Sequence, residues 1–575
     1  MSYRQFAAAY GLPRIVQMQQ IPSGPFGSRQ HSLYQHLPSF VSLLLSVAVA
    51  VPWLNPVAGG PSALIQPWLV AGGMTLLLWS LAAPDVTRPN LVVGVLLAAS
   101  VALAGRAAPP VLLAIGGLAV IALCAAIAAA PPSRQPRAGV IANAWLLAAL
   151  VSSVLALVQY FGLSPHLGGL VSPTEPGEAF ANLRQRNLFA TLSSIGLATL
   201  LWRVHQGARL SWVVPAVVLL AAANAVSASR TGALQIVLLV MLTFWWLRPI
   251  RRGLAAVCAT AVLAYGLAAA LLPLALQHLY GVSAANAFGR IVSTDGCGSR
   301  AILWDNVLHL IAQKPWLGWG WGELDYAHFA TLYPGARFCD ILDNAHNLPL
   351  HLAVELGVPV AALVCVGFGW WLLRQRPERE ADATRQLAWS VIAVILLHSL
   401  LEYPLWYGPF QMAFGFSLGL LANRRTVPDA RAVTRFGCAT VTGGLAVALL
   451  YAAWDYHRVS QLYTAPEERS VLYRDRPLPH QGDSWLFRDQ LAFAELSTTA
   501  LTRENAASVH ALAMELLHYS PEPRVIDAAA ESAVWIGRED QALWLLARRR
   551  AAFPQEPVGM AGAAASGGAK APVTP

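Results

Sequence analysis

The chain has 575 residues, of which 56% are hydrophobic and only 12% are charged, about half the charged share of a typical soluble protein. This composition excludes an ordinary soluble globular protein, a disordered chain and a fibrous repeat. The net charge of +9 is explained by the arginines that membrane topology places on the cytoplasmic side, so we expect no nucleic acid partner. The sequence predicts a multi-span integral membrane protein in contact with membrane lipids.

Apolar stretches long enough to cross a bilayer recur along most of the chain. Residues 1–36 are polar, so a cytoplasmic N-terminal segment without a cleavable signal peptide is expected there. The pattern predicts an all-α fold, with a polytopic transmembrane helical bundle over residues 37–455. About thirteen spans are predicted, at roughly 37–55, 62–83, 90–106, 109–130, 139–162, 182–203, 211–227, 231–248, 253–275, 345–373, 386–403, 407–423 and 436–455.

The placement of arginine orients these spans. If the N-terminus is cytoplasmic, the even-numbered connections lie inside, and they carry Arg88, Arg134, Arg137, Arg203, Arg209, Arg248, Arg251, Arg252, Arg374, Arg376, Arg379, Arg385, Arg424, Arg425, Arg431 and Arg435. The connection after the first span and the one near Tyr407 carry no charge. Because cytoplasmic loops are enriched in basic residues, the N-terminus is predicted inside and the C-terminus outside.

Two segments stand out on the predicted outer side. The loop 276–344, called the long loop below, has about seventy residues and is too long for a passive linker. From residue 456 the composition becomes soluble, which predicts a small helical domain over 456–557 and a disordered tail over 558–575. The segment His518–Pro523 is echoed by Phe553–Pro557 at an offset of 33 residues, so both a tetratricopeptide-like repeat and a plain helical bundle remain open.

Four arginines are not explained by topology, because they fall at predicted outer span ends or in the long loop: Arg184, Arg186, Arg230 and Arg300. An ionisable group at such a position is costly without a partner, so a functional role is the default hypothesis. Arginine can bind phosphate bidentately, and small residues flank Arg230 and Arg300. These residues indicate an anionic ligand such as a lipid-linked diphosphate. For Arg184 and Arg186, contact with lipid headgroups is the alternative.

His346 lies where the long loop enters a predicted span, within Asp343-Asn344-Ala345-His346-Asn347. Histidine is the usual general base near neutral pH, although a packed structural histidine is the alternative. His351 follows five residues later, so it is expected on a different helix face and receives a lesser role. Glu402 lies at another outer turn, where it has no evident reason to be unless it pairs with an arginine or a substrate.

Several chemistries are missing from the sequence. It contains no phosphate-loop motif, no clustered His/Cys metal site and no paired aspartates in the short outer loops. We therefore expect neither a metal nor a cofactor. The energy for a reaction must then arrive in the donor, as with a sugar activated by a lipid diphosphate.

Five motifs follow one another along the chain on one predicted face of the membrane. They are Arg184-Gln185-Arg186-Asn187-Leu188-Phe189-Ala190-Thr191, Ser229-Arg230-Thr231-Gly232, Arg300–Trp304 with Pro315–Gly320, His346-Asn347 followed nine residues later by Gly357, and Glu402-Tyr403-Pro404-Leu405-Trp406-Tyr407. Together they resemble the bacterial O-antigen ligase and polymerase superfamily, and within it the O-oligosaccharyltransferases that glycosylate pilins. The resemblance covers roughly residues 35–555. The second glycine usual in that family after Gly357 is missing, since Val358 follows.

The resemblance implies transfer of a glycan en bloc from an undecaprenyl-diphosphate-linked donor to Ser or Thr hydroxyls of a pilin or another periplasmic protein. The enzyme would lie in the bacterial inner membrane, with its active site and C-terminal domain facing the periplasm. His346, Gln185 and Tyr403 would be catalytic. The donor diphosphate would be bound by Arg230 and Arg300, with Arg184 and Arg186 beside them. Supporting residues would be Asn187, Asn347 and Glu402.

Three other functions remain open. A lipid A-core O-antigen ligase and an O-antigen polymerase would use the same site. A transporter or flippase for an anionic lipid belongs to a different class and predicts inverted repeats with broken spans, which the sequence does not display.

The long loop holds two of the six cysteines, Cys297 and Cys339. The periplasm is oxidising, so a disulfide between them is expected. Two free thiols are the alternative.

Overall fold

A computed structural model of the protein describes residues 42–57, 59–82, 109–129, 137–246, 251–282, 296–422, 435–474 and 483–556. Within these ranges all regular structure is helical, so the predicted all-α class is confirmed there. The compact unit that carries the features below begins at Leu45. The predicted N-terminal segment 1–36, the predicted span 90–106 and the predicted tail 558–575 lie outside the described residues.

The helices up to residue 460 include apolar ones at or near predicted spans and two that form inside the predicted long loop. They are α1 (Ser42–Leu54), α2 (Ile65–Ala82), α3 (Pro109–Ala129), α4 (Arg137–Tyr160), α5 (Arg186–His205), α6 (Leu210–Val226), α7 (Arg230–Trp246), α8 (Arg252–Tyr280), α9 (Arg300–Gln313), α10 (Leu324–Ala330), α11 (Leu348–Leu356), α12 (Val358–Gln375), α13 (Ala383–Ser399), α14 (Gly408–Leu421) and α15 (Arg435–Ser460). The agreement has a local cause, since long apolar runs bounded by charged or turn residues favour membrane helices.

Five helical segments of the described residues are long and apolar enough to cross a membrane. They are Val111–Ala129, Ala138–Tyr160, Arg186–His205, Arg252–Tyr280 and Val358–Arg379. Together with several shorter apolar helices, they make this a multi-pass membrane protein. The count of thirteen spans and the cytoplasmic N-terminus remain predictions.

The segment 345–373, predicted as one span, consists of two helices. Gly357 ends α11 with a φ of 87°, and α12 begins at Val358. The break has a tertiary cause: a Cβ at Gly357 would lie 2.2 Å from the carbonyl oxygen of Trp316, so only glycine fits this close approach. The helix with the length and hydropathy of a span therefore starts after Gly357, and His346 lies outside it.

Helix α5 occupies the centre of the bundle, where it packs against α4, α6, α7 and α13. Its buried hydroxyls donate to backbone carbonyls, as in the bonds from Ser194 to Ala190 at 2.9 Å and from Thr199 to Ile195 at 3.0 Å. Because these polar groups are satisfied, a weakly hydrophobic helix can be enclosed by more apolar ones. The N-terminal ends of α5 and α7 and the C-terminal end of α13 come together beside the long loop.

The described part of the long loop is folded. Helices α9 and α10 pack with α11 around a core that includes Leu303, Val307, Leu324 and Val354. Cys297 and Cys339 are joined as a disulfide, with their Cα atoms 5.4 Å apart. This part of the loop is therefore a small compact element, consistent with its predicted functional role.

The C-terminal helical unit comprises α16 (Arg488–Thr498), α17 (Ala506–Leu516), α18 (Pro523–Trp535) and α19 (Glu539–Ala552). Each of these helices packs on the next one in the chain. Their shared core includes Val509, Leu516, Ile526 and Leu545, and Phe329 from α10 joins it. Consecutive packing of this kind occurs both in tetratricopeptide-like repeats and in plain bundles, so the choice between them stays open.

Candidate active site

The carboxylate of Glu402 is the centre of a cluster of four polar side chains. Its Oε1 accepts hydrogen bonds from Asn187 Nδ2 at 3.1 Å and Arg300 NH2 at 2.5 Å. Its Oε2 accepts from Gln185 Nε2 at 3.2 Å and lies 2.9 Å from Nδ1 of His346. Four of the five sequence motifs therefore meet at one buried carboxylate, and the predicted pairing of Glu402 with an arginine is observed.

The donors around Glu402 determine the protonation of its neighbours. Amide and guanidinium N–H groups can only donate, so both carboxylate oxygens act as acceptors and Glu402 is ionised. His346 then donates from Nδ1, so in the neutral tautomer compatible with this contact Nε2 is the nitrogen that can accept a hydrogen bond. A histidine held in this tautomer is arranged to accept a proton through Nε2.

The electrostatics agree with an ionised Glu402. Burial alone would raise the pKa of Glu402, but the hydrogen bond from His346 and the positive charge of the Arg300 guanidinium outweigh it and hold the pKa below its ordinary value. In the part of the chain that the structure describes, no three His, Cys, Asp or Glu side chains come together as a metal site would require.

His346 is held by its neighbours in a left-handed backbone conformation, with a φ of 49°. Its N–H donates to Oδ1 of Asn344 at 2.9 Å, which forms a tight turn. The following residue, Asn347, caps α11 by accepting from the N–H of Leu350, and its Nδ2 donates to the carbonyl of Leu400 at 3.1 Å. Since Leu400 lies two residues before Glu402, Asn347 ties the histidine turn to the Glu402 turn.

The N-terminus of α5 carries two of the donors. Gln185 is its N-cap, with Oε1 accepting from the N–H of Leu188 at 3.2 Å, which directs Nε2 toward Glu402. Asn187 is oriented in the same way, because its Oδ1 accepts from the Ser229 hydroxyl at 2.6 Å. The first of the five sequence motifs thus forms the N-terminus of α5. Its Gln185 and Asn187 side chains point toward Glu402.

The Ser229–Gly232 motif brings α7 against this site. Ser229 Oγ accepts from the N–H of Gly232 at 3.0 Å while it donates to Asn187. A Cβ at Gly232 would lie 2.3 Å from Oδ1 of Asn224, so glycine permits the close packing. Arg230 begins α7 directly after Ser229 and is half-buried. The motif therefore positions Arg230 one residue away from the Glu402 network.

Tyr403 lies beside the catalytic candidates. Its ring packs edge-on against His346 with centroids 5.3 Å apart. The same ring stacks on that of Tyr407, with centroids 6.2 Å apart. Burial raises the pKa of Tyr403, so its hydroxyl stays protonated and remains a hydrogen-bond donor. Tyr403 is therefore a hydrogen-bond donor whose ring lies against His346.

Two of the arginines predicted to bind the donor diphosphate do not contact Glu402. Arg184 donates to the carbonyl of Pro56, and Arg186 forms an ion pair with Glu178. The structure therefore brings Arg300 to Glu402 and holds Arg184 and Arg186 on other partners.

His351 lies in a second, buried group. It is 3% exposed, its Nε2 is 3.5 Å from Oε2 of Glu355, and its ring meets the edges of Trp321 and Trp406 at 5.7 and 5.1 Å. Burial raises the pKa of Glu355 to about 8. His351 thus packs behind the site, in line with its lesser predicted role.

A buried polar network below Glu402 was not predicted. Thr191 Oγ1 accepts from Gln235 Nε2 at 2.8 Å and lies 2.8 Å from Nδ1 of His398. The carbonyl of His398 in turn accepts the N–H of Glu402 at 2.8 Å. The available signal was the presence of Gln235 and His398 in otherwise apolar segments, where polar groups are costly without a purpose.

Three segments of the chain match family models. Residues 215–365 match the O-antigen ligase model, residues 179–204 match the protein glycosylation ligase model, and residues 386–565 match the C-terminal model of virulence factor membrane-bound polymerase. These segments contain every residue of the Glu402 cluster. The resemblance predicted from the motifs is therefore confirmed.

Two curated relatives are similar to the chain. The general O-oligosaccharyltransferase of Acinetobacter baylyi is 25% identical over 330 residues, which are 55% of this chain and 56% of that protein. The ComP-specific O-oligosaccharyltransferase of the same organism is 25% identical over 259 residues, 44% of this chain and 46% of that protein. The chain spans about half the length of the curated relatives it matches.

Proposed function

We propose that the protein transfers a glycan en bloc from an undecaprenyl-diphosphate-linked donor to Ser or Thr hydroxyls of a pilin or another periplasmic protein. The site would face the periplasm from the bacterial inner membrane, with the C-terminal helical unit on the same side. The names of the relatives support a protein acceptor. The observation that carries the proposal is the pair of contacts by which the buried Glu402 carboxylate holds His346 next to Arg300.

In this mechanism His346 acts on the acceptor. Its Nδ1–H stays hydrogen-bonded to Glu402, so Nε2 removes the proton from the acceptor hydroxyl as the oxygen attacks the anomeric carbon. The new C–O bond forms as the bond between that carbon and the diphosphate oxygen breaks. A single displacement of this kind inverts the anomeric centre.

The arginines act on the leaving group. Negative charge grows on the diphosphate as it departs, and Arg300 and Arg230 would neutralise it from the ends of α9 and α7. Arg184 and Arg186, with their present partners Pro56 and Glu178, would join only if the donor displaced those contacts. Gln185 and Asn187 hold Glu402 in place through hydrogen bonds. The Tyr403 hydroxyl would donate a hydrogen bond to an oxygen of the glycan donor or of the protein acceptor. The proposal assigns no step to a metal or cofactor.

A second candidate is the lipid A-core O-antigen ligase, because the O-antigen ligase match covers Arg230, Arg300 and His346. Both enzymes would use the same donor chemistry and differ in the acceptor. A polymerase would add the glycan to another lipid-linked glycan.

The test is expression in a bacterium that lacks its own ligase, supplied with one lipid-linked glycan and a candidate pilin. We expect a glycosylated pilin, detected as a mass increase of one intact glycan. Glycan on lipid A-core would select the ligase, and longer lipid-linked chains would select the polymerase. Absence of all three products from a well-expressed protein would contradict transferase activity.

The same assay examines the carrying observation through Glu402→Gln. The amide keeps the size but loses the charge, and its nitrogen cannot accept from His346 or Gln185. We expect a fall in rate of about 10²–10⁴-fold, the range usual for loss of acid–base catalysis. Glu467→Gln, at an exposed position, is the matched control and should remain fully active.

A further inference from the structure

Helix α10 of the long loop has two buried faces. Leu324 and Ala327 pack into the core of the long loop, whereas Phe329 is 2% exposed and belongs to the core of the C-terminal helical unit. A helix of seven residues is not stable by itself. Its conformation therefore depends on both of the bodies between which it lies.

The contact between α10 and the C-terminal helical unit combines ring packing with a hydrogen bond. The Phe329 ring meets Trp544 edge-on with centroids 5.9 Å apart, and Tyr326 stacks on His518 at 3.8 Å. At its C-terminal end, α10 receives a hydrogen bond from Arg548 Nε to the carbonyl of Ala330 at 2.8 Å. Apolar packing, ring stacking and a cap on a terminal carbonyl act together on this short helix.

The beginning of α10 is held as well. Nδ1 of His518 lies 2.7 Å from Oε2 of Glu323, the residue that precedes the helix. The C-terminal helical unit thus contacts α10 at both ends and along one side.

The opposite face of α10 leads to the active site. Ala327 belongs to the same core as Leu303 of α9, the helix that starts with Arg300. Ala345, directly before His346, belongs to the same core, and its carbonyl accepts from Trp304 Nε1 at 3.1 Å. Arg300 of the long loop and His346, two residues beyond its end, are therefore both attached to the core that α10 joins.

We propose that the C-terminal helical unit is a clamp on α10 that holds Arg300 and His346 against Glu402, with Phe329 and His518 as positioning residues. The catalytic consequence rests on the proposed function. Arg300 reaches Glu402 from the long loop and His346 from the turn that follows it, and catalytic groups must be held to about 0.5 Å to remain productive. The surface of the C-terminal helical unit that meets α10 is buried by this contact, so it is not free to bind an acceptor.

The experiment measures hydrogen–deuterium exchange and transfer kinetics in the full chain. Phe329→Ala removes the ring, whereas Phe329→Leu keeps most of its apolar volume. His518→Ala removes a half-exposed ring and should not affect overall folding. Leu543→Ala, whose side chain is exposed on α19 next to Trp544, is the control.

We expect faster exchange in α9 and residues 343–347 of Phe329→Ala, and to a smaller extent of His518→Ala, while α4 and α5 remain protected. The maximal rate of transfer should fall by about 10²-fold in Phe329→Ala, the cost of displacing catalytic groups by about 1 Å. Phe329→Leu should recover most of that loss. The KM for the acceptor should stay unchanged.

Unchanged exchange in α9 and residues 343–347 of Phe329→Ala would overturn the clamp whatever the activity shows. An increase in the KM for the acceptor alone would also overturn it, because it would assign the unit to acceptor binding. If exchange changes as expected but the wild-type chain transfers no glycan, the clamp stands and the proposed function fails.

Discussion

At the residue scale, the site depends on how many hydrogen bonds one carboxylate can accept. Glu402 uses both oxygens, each for two donors, and the resulting tautomer of His346 follows from that count. Its lowered pKa also has a consequence for stability. Because the folded pKa lies below the ordinary value, Glu402 stabilises the fold above the usual titration range of glutamate, and this contribution is lost only as the pH falls through the lowered pKa. The cluster should thus remain intact at neutral pH.

We predict that His346→Ala abolishes glycan transfer while the protein still inserts and accumulates normally. Loss of a positioned base should lower the rate by about 10²–10⁴-fold, which the pilin mass-shift assay measures. His166→Ala, at an exposed position, is the matched control. His351 is unsuitable for that purpose, because it is buried against Glu355 and Trp406 and its removal would leave a cavity. Robust transfer by a normally folded His346→Ala protein would refute the mechanism.

Arg300→Lys separates charge from geometry. Lysine keeps the positive charge but cannot contact both Glu402 and a diphosphate with a planar fork. We therefore expect Arg300→Lys to lose nearly as much activity as Arg300→Ala in the same assay. Arg203→Lys is the control at the opposite end of α5, where lysine should be harmless. Full activity of Arg300→Lys would reduce this residue to a point charge.

At the element scale, two motif glycines let the long loop approach the α11–α12 junction. Gly318 and Gly357 both have positive φ, of 70° and 87°. A Cβ at Gly318 would lie 2.3 Å from the carbonyl oxygen of Glu355. Val358 donates to the carbonyl of Pro315 at 2.8 Å, so the two backbones are also hydrogen-bonded at this crossing. The glycines of the motifs are therefore required by packing of one backbone on another.

Gly357→Ala should consequently destabilise the crossing and shift the His346 turn. We expect a lower thermal unfolding midpoint and reduced transfer, because backbone at such a position costs about 1–3 kcal/mol when a side chain is added. Gly335→Ala tests the same substitution in the same loop, where the added methyl group meets no atom within 4 Å. Equal midpoints for the two variants would show that the crossing does not require glycine.

The disulfide between Cys297 and Cys339 closes the described core of the long loop. Their sequence separation of 42 residues corresponds to about 3–4 kcal/mol of stabilisation in chain-entropy estimates. We predict that a membrane-impermeant thiol reagent labels neither cysteine until the protein is reduced. Cys297→Ser then exposes Cys339 to the reagent and serves as the positive control. Labelling of both cysteines without reduction would disprove the disulfide in the cell.

At the scale of the whole molecule, the contact between α10 and α19 constrains the topology. Arg548 reaches the carbonyl of Ala330, so the long loop and the C-terminal helical unit must lie on the same side of the membrane. The chain between them must therefore cross the membrane an even number of times. The four spans predicted between them, at 345–373, 386–403, 407–423 and 436–455, would satisfy this condition.

We predict that Leu543→Cys, exposed on α19, is labelled by an impermeant maleimide from the periplasmic side of intact cells. Arg379→Cys, exposed between α12 and α13, should react only after the inner membrane is permeabilised. The unsubstituted chain measures background from the native cysteines. Labelling with the opposite sidedness would invert the orientation predicted from arginine placement.

Local information was enough to predict most of the apolar helices and to single out the candidate residues. Hydropathy over about twenty residues determines where an apolar helix forms, and arginine or histidine at an outer span end is unusual enough to attract attention without a structure. For this reason four helices, α4, α5, α7 and α15, begin and end close to the bounds of their predicted spans. His346, Arg300 and Glu402 stand out in the sequence as separate candidate residues for the same reason.

The contacts between these residues could be seen only in the tertiary structure. The partners of Glu402 lie 217, 215, 102 and 56 positions away in the chain, at Gln185, Asn187, Arg300 and His346. No local pattern encodes such pairings, because they arise when distant helices pack together. The break at Gly357 has the same origin, since its cause is the backbone of Trp316 and not the residues beside it. The sequence by itself determined the helices and the chemical groups, and long-range packing decided that a single carboxylate collects them.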